Sequence, residues 1–158
     1  KDRDGKLFGS AIPKVTITKE GNYSPEAADS GPEREVDLIA QIEDNLANAP
    51  LAGFVVEGQS PYGSMTNAQR NELMTKAVYS GMPVVRVGRG NNEGFSARAG
   101  VFLGGSNLTS TKARLTLIAC LLKFGALPPA VDPLAPTEAE TIAIQERLDL
   151  YQAVFDTH

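Results

Sequence analysis

The sequence predicts an α/β protein of three layers, helices on both faces of a small, mainly parallel four-stranded sheet. Three observations carry that expectation. Short apolar runs alternate with turn-rich or helix-period segments, as in βαβ units. The two central runs, 52–56 and 83–87, are nearly continuous in Val and Phe, as strands covered on both faces should be. A length of 158 residues with 42% hydrophobic content suits one domain with a single core.

Taken in order, the first strand is expected over 14–18. The stretch 20–32 is rich in Gly, Pro and Ser and has no period, so it reads as a surface loop. Over 33–48, Val36, Ile39, Ile42 and Leu46 recur at three- and four-residue steps with Asp and Glu opposite, an amphipathic helix whose stripe faces the sheet. After the second strand, a helix over 66–79 opens on Thr66 as N-cap, carries Leu73, Met74 and Ala77 inward, and stops at Ser80-Gly81. The third strand follows at 83–87 and a fourth at 100–103. A helix over 112–124, capped by Thr109 or Ser110, ends at Gly125 before Pro128-Pro129. Four prolines in 126–136 make a stiff, extended crossing. The last helix, 137–155, begins at Thr137-Glu138, and Glu140 complements its dipole; it should fold back on the body. The sequence contains no internal repeat, and the whole pattern is that of flavodoxin-like and Rossmann-like sheets.

Several function classes are disfavoured. A formal charge of -4 with no Lys/Arg run argues against nucleic acid as a partner. No segment reaches the roughly 20 apolar residues of a membrane span; the most apolar, 115–124, is interrupted by Thr116 and Lys123. Cys120 is the only cysteine, which rules out an internal disulfide and fits a reducing compartment, leaving bacterial cytoplasm and periplasm both open. Residues 1–5 lack the apolar core of a signal peptide. The only histidine is His158, so no Ser/His/Asp arrangement and no histidine-rich metal site can be assembled, and metal catalysis is not expected. Cys120 lies in Leu117-Ile118-Ala119-Cys120-Leu121-Leu122 and reads as a buried, inert thiol. The run 88–94 follows a strand like a phosphate loop, yet its glycines do not fit G-x-G-x-x-G and no helix opens behind it.

Two loops at the carboxyl ends of adjacent strands remain, where open α/β sheets bind ligands. One is 57–65, in which Gly58 and Gly63 permit close backbone approach and Gln59, Ser60, Tyr62 and Ser64 offer hydrogen bonds. The same residues also suit an ordinary strand-to-helix turn. The other is 86–93. There Arg86 and Arg89 either grip a carboxylate or form structural or interface ion pairs, and Glu57 with Glu93 is a candidate carboxylate pair.

At this point a resemblance enters. Gly53-Phe54-Val55-Val56-Glu57-Gly58 followed by Gly63-Ser64-Met65 is similar to the strand and turn of bacterial-type L-asparaginases and glutaminases, approximately G-x-V-x-x-G-x-G-N-G-S/N. Gly81-Met82-Pro83-Val84-Val85-Arg86-Val87-Gly88-Arg89 resembles their G-x-x-V-V-R-S-S-R. Phe102-Leu103 through Leu108, with Lys112-Ala113-Arg114-Leu115, is similar to F-V-x-x-G-x-L-x-P-x-K-A-R-x-x-L. The three segments come in the family's order with similar gaps and span about 52–122.

The resemblance implies the smaller, C-terminal domain of an amidohydrolase that converts asparagine, and often glutamine, to the acidic amino acid and ammonia without cofactor. It implies that the nucleophilic threonine and its supporting threonine, lysine and aspartate belong to an N-terminal domain, whose motifs do not occur here. The family's counterpart of 59–65 closes over the active site of a neighbouring subunit. Gly58, Gln59, Gly63 and Ser64 are accordingly expected to be substrate-binding in a shared site, Ser64 as hydrogen-bond donor and the glycines as backbone shapers, with no catalytic residue on this chain. With a one-residue insertion in the loop, Tyr62 stands where the family usually has asparagine. The implied partners are the N-terminal domain, further copies of the protein and a small amino-acid substrate. Two rivals belong to other classes: a non-enzymatic flavodoxin-like module that binds a small ligand or protein at the strand ends, and self-association through exposed apolar surface.

Overall fold

A computed structural model describes residues 3–6, 8–19, 51–59, 62–89 and 95–157. The expected loop over 20–32 and helix over 33–48 lie outside the described residues, as do Ser60, Pro61 and Glu93. Among the described residues four strands form one sheet: β1 (Lys14–Lys19), β2 (Leu51–Gly58), β3 (Val84–Gly88) and β4 (Leu103–Gly104). Their spatial order is β1-β2-β3-β4 and every pairing is parallel. Among the described residues three α-helices accompany them: α1 (Ala68–Tyr79), α2 (Ser110–Phe124) and α3 (Glu138–Phe155). The architecture is α/β with helices on both faces of the sheet.

Register decides which side chains meet which helix. The Cβ position of Gly53 points at α2, 3.2 Å from Leu117 Cδ2. Strand residues alternate between faces, so Val55 shares that side, together with its paired neighbours Ile17, Val85 and, beyond Val85, Leu103. Phe54, Val56 and Val84 face the opposite layer, to which α1 contributes Met74, Ala77 and Val78. All of these but the half-buried Ile17 belong to the fully buried core. Helix α2 lies across β1, β2 and β3, and α3 packs beside it against β4.

Local chemistry sets the helix ends. Helix α1 is capped by Asn67, whose side chain accepts from Arg70 N at 3.1 Å, one residue later than the expected Thr66. Thr66 is engaged elsewhere: its Oγ1 accepts from Gln59 Nε2 at 3.0 Å. Of the two candidates at the start of α2, Thr109 is the cap, accepting from Lys112 N at 3.3 Å. The fourth strand is shorter and later than the expected 100–103, because 99–102 turn back on themselves through reciprocal bonds between Ala99 and Phe102.

Helix α3 opens on a full capping box between Thr137 and Glu140. Glu140 also accepts from Val131 N at 2.8 Å, tying the proline-rich crossing to the helix start, while Leu127 and Ala130 donate to the carbonyls of Gly81 and Tyr79 at the end of α1. Backbone bonds from Val131 and Thr137, then the Thr137 hydroxyl, hold the Glu140 carboxyl below the usual range. Stability from these bonds is therefore present above the ordinary carboxylate range and lost as pH falls through the depressed value. Glu140→Gln is expected to lower the melting temperature at pH 7 and to narrow the gap to wild type in acid; an equal gap at pH 7 and pH 3 contradicts this.

Cys120 and Tyr151 are buried between α2 and α3. The Tyr151 hydroxyl donates to the Gly125 carbonyl, and its ring lies 5.8 Å from that of Phe124. Burial pushes the Cys120 thiol up from 9.0 to about 11, against the pull of Lys123. Burial, helped by Cys120, pushes Tyr151 from 10.0 to about 12, against Arg147. The unfolded chain gives up both protons first, so stability holds below pH 9 and falls as pH rises from 9 towards 12. Urea midpoints from pH 8 to 11 should trace this decline, and Cys120→Ala should flatten its lower half. The thiol should also resist alkylation until the chain unfolds.

Candidate functional site

The strand-end turn is built by backbone. Gln59 N donates to the Ser64 carbonyl at 3.0 Å, and Gly63 N donates to the Gln59 carbonyl at 2.8 Å, closing a small hairpin beyond β2. Gly58 lies directly beneath it: a Cβ there would stand 2.4 Å from Gly63 C and 2.7 Å from Ser64 O. Gly63 has φ +67°, the left-handed region, and a Cβ on it would stand 2.8 Å from Ser96 Oγ and from the Val87 carbonyl group. Both glycines are therefore required by close packing. The turn in consequence sits hard against the ends of β2 and β3.

Side chains around this frame divide by exposure. Ser64 is exposed, Tyr62 is 61% exposed, and Gln59 is half-buried with its amide bonded to Thr66. The structure thus brings Gly58, Gln59, Gly63 and Ser64 together in one turn, with the Ser64 and Tyr62 side chains facing outward. Nearby, Ser96 and Ser106 exchange backbone bonds of 3.0 and 3.1 Å, and Ser106 adopts φ +52°. The Ser96 hydroxyl is buried and has no hydrogen-bond partner among the described residues. Sequence reasoning passed over Ser96 and Ser106; the signal available was the glycine pair Gly104-Gly105 preceding a serine.

The two arginines do not converge on one acceptor. Val87 is paired with Glu57 and period two returns the chain to that side at 89, so Arg89 and Glu57 share a face. Arg89 Nε lies 3.5 Å from Glu57 Oε1. Arg86 is paired with Val56 and points to the other face, where Nη2 donates to the Ala97 carbonyl at 3.0 Å. Desolvation lowers the Arg86 value, and its Nε has no partner among the described residues. Glu57 is committed to Arg89, and its suggested companion Glu93 lies outside the described residues. Among the described residues no group of three or more His, Cys, Asp or Glu is placed to hold a metal ion, and no helix is long and apolar enough to cross a membrane.

A parallel four-stranded sheet with helices on both faces, and a turn packed on the carboxyl end of a central strand, define the chain as an α/β protein. This chain superposes on a probable cytoplasmic L-asparaginase from Campylobacter jejuni with a TM-score of 0.57 and 22% sequence identity, over 88% of this chain and 35% of that one. The fold is accordingly asparaginase-like, and the chain spans about a third of the length of that protein. No protein-family model and no curated protein matches the sequence.

Proposed function

We propose that this chain is the C-terminal-type domain of an L-asparaginase-like amidohydrolase, one that hydrolyses the side-chain amide of asparagine when the enzyme is whole, with glutamine the alternative substrate. The reading is supported above all by the packing of Gly58, Gly63 and Ser64 at the end of a central strand, in a fold shared with part of an L-asparaginase. Acyl transfer needs an activated nucleophile and a prearranged oxyanion site. In this reading an N-terminal domain supplies both, and this chain adds one wall of a site shared with a neighbouring subunit.

Each residue then has a limited task. Gly58 and Gly63 let the turn lie flat on the strand ends. Ser64 offers its hydroxyl to the substrate and Gln59 steadies the turn through Thr66. Arg86 and Arg89 act structurally, holding the 95–98 segment and the Glu57 carboxylate. No cofactor is required by this chemistry.

Ammonia release tests the proposal. The 158-residue chain alone should release none from asparagine or glutamine, and adding an asparaginase N-terminal domain that carries the threonine nucleophile should restore turnover. In the reconstituted enzyme Ser64→Ala should lower kcat/KM about tenfold, the worth of one hydrogen bond. Sustained turnover by the lone chain would place the nucleophile here and overturn the proposal.

A further inference from the structure

Helix α3 carries two stripes side by side. Ile144, Leu148, Tyr151 and Phe155 are buried in the core. Beside them Gln145, Asp149 and Gln152 recur at four- and three-residue steps, a polar row of the kind that ordinarily faces water. Here the row is engaged. The Arg98 guanidinium donates through Nη2 to Gln145 Oε1 and through Nη1 to Asp149 Oδ1, bridging one turn of the helix. Further along, Gln152 Oε1 accepts from Gly104 N at 2.9 Å, while Gln152 Nε2 donates to Gly104 O at 3.1 Å and to Asp156 Oδ1 at 2.7 Å.

Both grips act on one piece of chain. In the pairing of β3 with β4, Gly105 N donates to the Arg86 carbonyl at 2.8 Å, so the N–H and C=O of Gly104 face the open edge of the sheet. There the Gln152 amide pairs with them as a further strand would. The backbone of 96–98 lies on Gly104, in the space that a Cβ would need. Ser96 exchanges backbone bonds with Ser106, and Arg86 Nη2 holds the Ala97 carbonyl. The other end of this segment meets the candidate site, because Ser96 Oγ stands 2.8 Å from where a Gly63 Cβ would be. That hydroxyl is buried and makes no hydrogen bond among the described residues, so its hold on the turn is steric. Where the turn stands therefore depends on how firmly 96–98 is fixed.

We propose that Arg98 is a positioning residue for the amide-hydrolysing site: it fixes the 96–98 segment to α3 and, through Ser96 and Gly63, sets the position of Ser64 at the strand ends. Gln152 supports it by holding Gly104 underneath. The Asp149 side chain is 67% exposed, so the charge pair by itself adds little stability. What the guanidinium supplies is geometry, one planar fork reaching two acceptors a helical turn apart, which a lysine cannot do. The task given to Ser64 rests on the amidohydrolase reading, whereas the mechanical path from α3 to the turn does not.

Hydrogen exchange on the full chain tests the path. Arg98→Ala should speed exchange at the amides of Gln59 and Gly63 about tenfold, with Val55 and Val85 changed by less than about twofold. Arg98→Lys, which keeps one bond, should fall between, and Glu146→Ala, exposed on α3 and off the polar row, should match wild type. Function is read in the enzyme reconstituted with an asparaginase N-terminal domain. There Arg98→Ala should lower kcat/KM about fivefold, mostly through KM. Once Ser64 is replaced by alanine, Arg98→Ala should have little further effect, a coupling that a merely structural residue would not show. Unchanged exchange at 59 and 63, or independent losses from the two substitutions, overturns the proposal. An inactive reconstituted wild type overturns the amidohydrolase reading instead, and exchange alone then decides the path.

Discussion

Replacing Phe54 with alanine is expected to cost about 3–5 kcal/mol. Phe54 is wholly buried in the central strand β2, paired with Thr16 on one side and Val84 on the other. It occupies the face opposite α2, where Met74, Ala77 and Val78 of α1 are also buried. Removing the ring forfeits its transfer free energy and leaves a cavity that strands held on both sides cannot collapse into. Total stability for a domain is about 5–15 kcal/mol, so this one change consumes a large part of it. Urea titration should show the midpoint falling with little change in slope. A loss under about 1 kcal/mol would mean that the sheet is not packed on that face as described.

Gly58→Ala should be the next most damaging change, and its effect should centre on the candidate site. The added methyl would meet Gly63 C at 2.4 Å and Ser64 O at 2.7 Å, both backbone atoms. No side-chain rotation relieves that overlap, so the hairpin must lift from the end of β2. Overpacking of this kind costs about 1–3 kcal/mol, and the bonds from Gln59 N to Ser64 and from Gly63 N to Gln59 should lengthen together. Hydrogen exchange at the amides of Gln59 and Gly63 should accelerate more than at Val55 or Val85. Gly9→Ala, where nothing lies within 4 Å, serves as the neutral control. Unchanged exchange at 59 and 63 would show that the turn tolerates a side chain beneath it.

Much of this architecture was legible in the sequence because it rests on local patterns. The unbroken apolar runs of β2 and β3 reflect burial on both faces, and the prolines after Gly125 leave the chain no way to continue α2. Choices between chemically equivalent neighbours were not legible. Thr66 and Asn67 are both good caps, and the decision falls to Asn67 because Thr66 is held by Gln59, seven residues earlier. Strand β4 was misplaced because its pairing depends on where the chain turns between Ala99 and Phe102, which no periodicity records.

The strand-end site was readable only in outline. Gly58 and Gly63 mark a tight turn by residue type alone, yet the surface that Gly63 presses on, Val87 and Ser96, lies 24 and 33 residues further along the chain and is fixed by the fold. The Glu57–Arg89 pair has the same origin: both residues look like ordinary loop charges until strand pairing brings them onto one face. Arg86 and Arg89 look like a matched pair in the sequence, but odd spacing along an extended strand sends them to opposite sides.

The placement of α2 has a consequence for biosynthesis. Strands β1 to β3 leave the ribosome in the order in which they pair, but the helix that roofs them is made long afterwards. Until Phe124 has emerged, the nascent sheet carries a bare slab of Val15, Val55 and Val85, a target for wrong partners during translation. Ribosome-stalled chains ending just before Ser110 should accordingly bind holdase chaperones strongly, and those extended past Phe155 should let them go.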